Sequence, residues 1–211
     1  MMTLHGYFRS GAAYRTRIAL NFKGIAYQQV SRHLRKGEQR DPEYLKLNPQ
    51  GLVPALILED GTVLTQSLAI IEWLEETHPE PALLPKDPIR RAKIRAFALA
   101  IAADTHPIQN LRVLQKVAQI TGDPKQGDEW GKEINLQGLE AAQKLIENEP
   151  GPFCFGEAPT LADVCLVPQL VNVRRYVSDL SHLPRLLQAE AACMDLKPFK
   201  DAAPAKQPDA E

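Results

Sequence analysis

An arginine and a serine near the start of the chain stand between a strand-like segment and a helix-like segment. Tyr7 and Phe8 precede Arg9 and Ser10, and residues 12–23 then show helical spacing. A serine in this place can be a helix N-cap, because its side-chain oxygen accepts a hydrogen bond from the first turn. The first N–H groups of a helix also favour a bound anion. The Arg-Ser pair therefore predicts a helix cap, an anion site, or both.

Positive charge is concentrated in residues 1–40, where eight lysines and arginines face a single acid, Glu38. These cations can form a solvated face balanced by acids further along the chain, or they can line a cleft that attracts a small anion. Over the whole chain the formal net charge is only −1, so no global field draws the protein to nucleic acid or to an anionic membrane. The charge pattern therefore leaves both interpretations open, and neither a nucleic acid nor a membrane is expected as a partner.

Cysteine usage points to a reducing compartment. The three cysteines, Cys154, Cys165 and Cys193, are widely spaced and form no C-x-x-C pair, so neither a disulfide framework nor a metal-ligand cluster is predicted. The N-terminus has no apolar signal segment, and no run approaches the roughly 18 apolar residues of a membrane span. We expect a cytoplasmic protein without a metal and without membrane association.

The first part of the chain reads as a small α/β layer. A strand over residues 4–8 and a helix over 12–23 are followed by a second strand and a short helix. Asp60-Gly61 between two apolar runs predicts a hairpin, and a helix follows from Ser67. The predicted order for residues 1 to 78 is β-α-β-α-β-β-α.

The later part of the chain reads as a helix bundle. A proline-rich stretch around residues 79–88 looks like a linker, and helical periodicity then covers four segments: 87–120, 128–148, 160–178 and 182–197. Thr160 and Asp163 form a capping-box pattern, for which a structural role is sufficient. The polar, proline-bearing tail is predicted to be loosely ordered. We therefore expect an α/β domain at 1–80, a linker at 81–87 and an all-helical domain at 88–211.

This succession of motifs resembles the cytosolic glutathione transferases, with a Val-Pro before a hairpin and a Gln-Ser at a helix start. Five segments are similar to the zeta class, which contains the maleylacetoacetate and maleylpyruvate isomerases: YFRSGAAYRTRIALNFKGI, LNPQGLVPAL, QSLAIIEWLEE, DTHPIQNLRVL and FGEAPTLADVCLVPQL. The resemblance covers almost the whole chain. It implies the glutathione transferase fold, a thioredoxin-like domain followed by a helical-bundle domain (α/β plus all-α), with glutathione as cofactor.

One position departs from the family pattern. Many zeta members have Ser-Ser-Cys after the arginine, whereas this chain has Ser10, Gly11 and Ala12. The active-site cysteine is therefore absent, which puts chemistry by a protein thiol in doubt. The Arg-Ser-Gly form is similar to bacterial maleylpyruvate isomerases.

The resemblance also implies the glutathione contacts. Ser10 donates its hydroxyl to the thiolate at the helix start. Val53, before a cis Pro54, offers its backbone to the peptide of glutathione, while Gln66 and Ser67 receive the γ-glutamyl carboxylate. Ser67 can instead be a simple N-cap. The complete implied set is Ser10, Gly11, Ala12, His33, Gln39, Val53, Pro54, Gln66, Ser67, His106 and Gln109, in which His106 can also be a core histidine.

Three arginines match the positions at which the isomerases bind the carboxylates of a diacid: Arg9, Arg112 and Arg175. The adjacent Arg174 is an alternative to Arg175. Arginine suits this task because its planar guanidinium pairs bidentately with a carboxylate.

The activity implied is glutathione-dependent cis-trans isomerisation of maleylpyruvate or maleylacetoacetate in aromatic-compound catabolism. The thiolate adds to the cis double bond, rotation follows, and elimination returns the trans product. The alternatives are a general transferase that conjugates electrophiles such as haloacids, and a non-catalytic transferase-like module. The resemblance also suggests a homodimer and leaves the choice of diacid open.

Overall fold

A four-stranded mixed sheet organises the first part of the chain. In a computed structural model that describes residues 1–211, the strands are β1 (Met2–Gly6), β2 (Tyr27–Ser31), β3 (Ala55–Ile57) and β4 (Val63–Thr65), in the spatial order β2-β1-β3-β4. β1 is parallel to β2 and antiparallel to β3, and β3 and β4 form the antiparallel hairpin predicted from Asp60-Gly61. Gly61 has a φ of 87°, a conformation that glycine adopts without steric cost.

Three helices complete the predicted order: α1 (Gly11–Phe22), α2 (Pro42–Leu47) and α3 (Ser67–Thr77). A parallel strand pair needs a crossover connection, and α1 supplies it between β1 and β2. Leu4 and Leu56 of the sheet are fully buried, as are Ile18 of α1 and Ile70 of α3. The prediction of a β-α-β-α-β-β-α order is confirmed.

The basic N-terminal segment is only partly a solvated face, because several of its cations are buried. Arg17 is 0% exposed and donates hydrogen bonds to backbone carbonyls. Lys23 is also buried, and its Nζ lies 2.6 Å from Oε2 of Glu75 and 2.8 Å from the carbonyl of Pro81. A buried cation needs such partners to offset lost hydration. The reading of these residues as surface charge was wrong.

The chain divides into two compact units, residues 1–82 together with 195–211, and residues 83–194. The structure thus differs from the predicted borders at the C-terminal end, because the last 17 residues pack with the α/β unit and not with the helices. Helix α9 (Lys197–Ala202) lies against α1, where Asn21 Nδ2 donates to the carbonyl of Pro198 at 3.2 Å. The tail forms further hydrogen bonds through Asp209, so the prediction of loose order was wrong.

The second unit contains five helices: α4 (Pro88–Leu99), α5 (Leu111–Thr121), α6 (Pro124–Ile146), α7 (Leu161–Val173) and α8 (Pro184–Asp195). The continuous helix predicted over 87–120 is interrupted by a π-helical turn at Ala100–Thr105 and a 3₁₀ turn at Pro107–Gln109. Pro107 explains part of the break, because it has no N–H to continue the helical ladder. None of the helices has the length and hydropathy needed to cross a membrane.

The capping box at the start of α7 is present as predicted. Thr160 Oγ1 accepts from the N–H of Ala162 at 3.2 Å, and Asp163 accepts from the N–H of Thr160 at 2.8 Å. Asp163 also accepts from the N–H of Cys154 at 2.8 Å, which fixes the preceding loop to the helix. Burial raises the pKa of the Asp163 carboxyl, and these N–H donors act in the opposite direction.

Asp163→Ala is expected to lower the free energy of unfolding by about 3 kcal/mol, because it leaves several buried donors without an acceptor. Urea denaturation measures this change. Asp87 is a matched control, since it caps α4 through the N–H of Arg90 at 2.7 Å but is exposed. Asp87→Ala should cost only about 1 kcal/mol. Equal losses in the two variants would contradict the role assigned to the buried carboxylate.

Candidate active site

Ser10 is the N-cap of α1, and its side chain is only partly used by that task. Its Oγ accepts from the N–H of Ala13 at 3.2 Å, and its own N–H donates to the carbonyl of Tyr7 at 3.0 Å. The hydroxyl hydrogen of Ser10 has no acceptor, and the N–H groups of Gly11 and Ala12 make no hydrogen bond within the chain. The start of α1 therefore keeps one hydroxyl and two amide donors for an anion, so Ser10 forms the predicted cap and leaves the donors that an anion site would need.

The peptide bond between Val53 and Pro54 is cis, as the resemblance implies. The preceding carbonyl, that of Leu52, accepts from Tyr44 Oη at 2.6 Å and from Asn48 Nδ2 at 2.7 Å. Burial raises the pKa of Tyr44 to about 12, so its hydroxyl remains a donor at neutral pH. The N–H and the carbonyl of Val53 itself make no hydrogen bond within the chain. This edge of the backbone is thus held in place and available to an extended peptide.

The start of α3 offers a second set of unpaired donors. Gln66 is the N-cap, with a φ of 65° and no side-chain capping bond, and the N–H groups of Ser67, Leu68 and Ala69 have no acceptor in the chain. A non-glycine residue at positive φ is uncommon and is enriched at functional sites. The interpretation of Ser67 as the N-cap was wrong, because Ser67 is the first helical residue.

A buried arginine lies beside this helix start. Arg15 is 4% exposed, and its Nε donates to Oγ of Ser67 at 2.7 Å. The side chain of Ser67 is therefore oriented by a cation, next to amide groups that already favour a negative charge. The arrangement suits a carboxylate. Arg15 was not among the predicted site residues, because nothing local connects it to a serine 52 positions away.

His33 and Gln39 both have polar atoms suited to a ligand. His33 Nδ1 accepts from the N–H of Lys36 at 3.2 Å, so in the neutral ring the hydrogen is on Nε2. That atom lies 2.9 Å from Oε1 of Glu211, and the donor thus already faces a carboxylate. Oε1 of Gln39 is shielded from solvent and has no hydrogen-bond donor, which leaves an acceptor for an amide N–H. These atoms, with the two helix starts and the Val53 edge, fit a short anionic peptide such as glutathione.

His106 and Gln109 are both buried in the helical unit. Oε1 of Gln109 accepts from Asn135 Nδ2 at 3.3 Å, and Asn135 Oδ1 accepts from Gln169 Nε2 at 2.6 Å. This chain of buried amides gives Gln109 a structural role that its spacing in the sequence did not reveal. Buried polar groups without such partners are destabilising.

The arginines of the helical unit differ in their partners. Arg174 binds both carboxylate oxygens of Glu190, so its charge is neutralised within the unit. Arg175 donates to Oδ1 of Asn172 at 3.0 Å and lies over the ring of Tyr176, neither of which removes its charge. Arg112 is exposed on α5 and forms no ion pair. The contacts favour Arg175 over Arg174 as the group that can take a carboxylate.

Comparison with known proteins agrees with this geometry. Residues 9–77 match the family model described as the glutathione S-transferase N-terminal domain. The maleylacetoacetate isomerase of Pseudomonas aeruginosa is 45% identical over 99% of this chain and 98% of its own length. A solved maleylpyruvate isomerase, described as a bacterial zeta-class glutathione transferase in its holo form, superposes with a TM-score of 0.95 at 42% identity, covering 99% of this chain and 100% of that one. The chain belongs to the zeta class of glutathione transferases.

A second similar structure was solved with ligands bound. The maleylacetoacetate isomerase of Anaeromyxobacter dehalogenans was solved with glutathione in its active site, at 42% identity and a TM-score of 0.91, covering 100% of this chain and 98% of that one. The same enzyme was also solved with dicarboxyethyl glutathione and citrate bound. The predicted fold, a thioredoxin-like domain and a helical domain, is confirmed for this zeta-class chain.

Proposed function

We propose that this protein catalyses the glutathione-dependent cis-trans isomerisation of a maleyl diacid, either maleylpyruvate or maleylacetoacetate, to its fumaryl isomer. The observation that carries the proposal is the start of α1, where the Ser10 hydroxyl hydrogen and the N–H groups of Gly11 and Ala12 are all unused. The names of the relatives support the same reaction.

Glutathione, when bound, supplies a thiolate that can add reversibly to a double bond and so permit rotation about it. Ser10 would hold the sulfur through its hydroxyl, and the positive end of α1 lowers the pKa of a thiol placed there. Because Gly11 and Ala12 replace the family's Ser-Cys, no side-chain thiol competes for this position. The protein's role is therefore to ionise and orient the thiol of glutathione, and glutathione itself supplies the nucleophile.

The remaining residues of the α/β unit would bind the rest of the peptide. Val53 offers one N–H and one carbonyl, which suits an extended backbone pairing alongside it. Ser67, oriented by Arg15, and the free amides of α3 would take the γ-glutamyl carboxylate. His33 and Gln39 supply one donor and one acceptor for the glycyl end. We propose His106 and Gln109 as further glutathione contacts only because the family resemblance implies them.

Arg9, Arg112 and Arg175 are proposed as the groups that bind the two carboxylates and the enolate charge of the substrate. All three are exposed and form no ion pair, so each retains its full charge for a ligand. Fixed cations aimed at a developing negative charge lower the barrier to its formation.

Conjugation of electrophiles such as haloacids is the second candidate activity, and it would use the same start of α1. It does not need three arginines without acidic partners, which favours the isomerase. A non-catalytic module is less well supported, since it has no use for donors aimed at a thiolate.

We further infer a homodimer that acts in the cytoplasm in aromatic-compound catabolism, after a dioxygenase has opened the ring. The unpaired cysteines suit such a reducing compartment.

Conversion of maleylpyruvate and of maleylacetoacetate by the purified protein, each with and without glutathione, tests the proposal. Rapid isomerisation that requires glutathione supports it, and the ratio of the two rates identifies the preferred diacid. If neither diacid reacts while an aryl halide is conjugated, the transferase reading replaces the isomerase. If glutathione binds and no reaction follows, the non-catalytic reading is correct.

Glu211→Gln is expected to lower the KM for glutathione about twofold, with kcat unchanged, because a neutral amide oxygen accepts the Nε2 hydrogen of His33 less strongly than the carboxylate and so competes less with an anionic ligand. Glu211 is 60% exposed and lies 2.9 Å from that atom. Glu43→Gln is the matched control, because Glu43 pairs with Lys46 on the exposed face of α2 and should change neither constant. A higher KM in Glu211→Gln would mean that this carboxylate orients His33 and does not compete with the ligand.

A further inference from the structure

The carboxylate of Asp209, in the C-terminal tail, joins the ends of two neighbouring strands close to Ser10. Its Oδ2 accepts from the N–H of Phe8 at 3.0 Å and from Oγ of Ser31 at 2.7 Å, and its Oδ1 accepts from Nε2 of Gln29 at 3.1 Å. These donors come from the segment after β1 and from β2. A carboxylate is the one side chain that can accept from all three without offering a competing donor.

The opposite side of the same peptide segment is held by Arg17. Its Nη2 donates to the carbonyl of Phe8 at 3.1 Å, and its Nε donates to the carbonyl of Ala202 at 3.0 Å. Phe8 therefore has its N–H bound by one charged side chain and its carbonyl bound by another. The next turn begins at once, because the carbonyl of Tyr7 accepts the N–H of Ser10. The backbone that leads into Ser10 is thus fixed by contacts that reach the C-terminal segment.

Asp209 brings a negative charge to the segment two residues before Ser10, where the cation of Arg17 opposes it only in part. A carboxylate next to an anion-binding helix start raises the pKa of a thiol bound there. The unfavourable charge of Asp209 is offset by its hydrogen bonds. These bonds restrict the turn from which the Ser10 hydroxyl and the first amides of α1 project. A donor misplaced by about 1 Å stabilises a charge far less effectively.

We infer that Asp209 is a positioning residue for thiol ionisation, which it promotes by fixing the segment that carries Ser10. The inference rests on the proposed glutathione site. It concerns how that site is held, and it is independent of which diacid, if any, is isomerised.

Asp209→Asn gives opposite results for the two roles the carboxylate can have. The amide keeps the size of the side chain but replaces one acceptor with a donor and removes the charge, so all three contacts are weakened or rearranged. Removal of the charge alone would lower the pKa of the bound glutathione thiol. Loosening of the segment would raise that pKa, and we expect a rise of about one unit, with a loss of about tenfold in kcat/KM at a pH below the wild-type thiol pKa and a smaller loss above it.

The measurement is titration of the thiolate absorbance of bound glutathione, with binding of S-methylglutathione measured alongside by calorimetry. The S-methyl peptide has no thiol to ionise, so its affinity should change by less than about twofold if positioning of the thiol is the role lost. Exchange of the Phe8 amide hydrogen should also be faster in Asp209→Asn, because a neutral amide oxygen is a weaker acceptor than the carboxylate.

Two further variants keep the test decisive. Asp201→Asn is the matched control: Asp201 is exposed on α9 and pairs with Lys197, and its replacement should leave the thiol pKa unchanged. Ser31→Ala removes a single donor and should raise the pKa in the same direction by a smaller amount, so it carries the test if Asp209→Asn does not fold. An unchanged or lowered thiol pKa in Asp209→Asn, or in Ser31→Ala if Asp209→Asn does not fold, overturns the inference.

The outcomes separate this inference from the proposed function. If the wild-type protein ionises glutathione but does not isomerise either diacid, the isomerase proposal fails while the comparison of thiol pKa values still decides the role of Asp209. If the wild type isomerises and the variants ionise glutathione equally well, only the inference fails. Absence of glutathione binding by the wild type would overturn both.

Discussion

Replacement of Ser10 by alanine should lower kcat/KM for the isomerisation about 100-fold at neutral pH, as does the loss of one donor to a developing anion in other enzymes. The hydroxyl hydrogen has no acceptor within the chain, so its expected use is to donate to the glutathione sulfur. Without it the thiol pKa rises and the thiolate fraction at a given pH falls. The loss should therefore be largest at low pH and shrink as the pH rises through the new pKa, which a pH profile of kcat/KM will record.

Loss of the helix cap must be separated from loss of the donor. Ser10 also caps α1, and removal of a cap costs about 1 kcal/mol of stability. Thr160 provides the control, because it caps α7 through the N–H of Ala162 and lies in the helical unit. Thr160→Ala should lower the melting temperature without moving the pH profile. A Ser10→Ala enzyme with the wild-type profile would show that the serine is only a cap.

Replacement of Arg175 by alanine should lower isomerase turnover about 30-fold while changing conjugation of a neutral aryl halide by less than about threefold, because a hydrogen bond between charged groups contributes roughly 1.5–3 kcal/mol. The two substrates share the thiolate and differ in their carboxylates. Steady-state rates with each substrate, at saturating glutathione, give the comparison directly.

Arg174→Ala is the matched control for this experiment. Arg174 is adjacent in sequence and of the same type, but Glu190 occupies its guanidinium. We expect both activities to stay within about twofold of the wild type, since an exposed ion pair contributes little. Equal losses on both substrates in Arg175→Ala would remove Arg175 from the carboxylate-binding group, and a larger effect of Arg174→Ala would exchange the two assignments.

Features set by neighbouring residues could be predicted from the sequence. The hairpin at Asp60-Gly61, the capping box of Thr160 and Asp163, and the turn that follows Ser10 each depend on a few adjacent side chains. The cis bond before Pro54 was different, because it rested on the family resemblance: cis is found in only about 5–6% of X-Pro bonds in folded proteins. Local rules and family resemblance thus supported different parts of the site.

Features that depend on distant residues could not be predicted. Asp209 accepts a hydrogen bond from the N–H of Phe8, 201 positions away in the sequence, and Arg15 bonds to Ser67, 52 positions away. Local sequence patterns do not predict contacts between residues so far apart. The composition of the tail even predicted the opposite of its observed contacts. The choice between Arg174 and Arg175 was likewise open, because it depends on where Glu190 of α8 lies.

The α/β unit is built from two separate parts of the chain, and this determines when it can be completed during synthesis. Its sheet and first three helices leave the ribosome early, yet residues 195–211 emerge only after the whole helical unit, although they belong to the first unit. Domains generally begin to fold during synthesis, but here the segment before Ser10 lacks its Asp209 acceptor until residue 209 has been translated. A nascent chain that has finished its helical unit therefore still lacks a contact of the proposed thiol site, and that contact can form only after the tail has been translated.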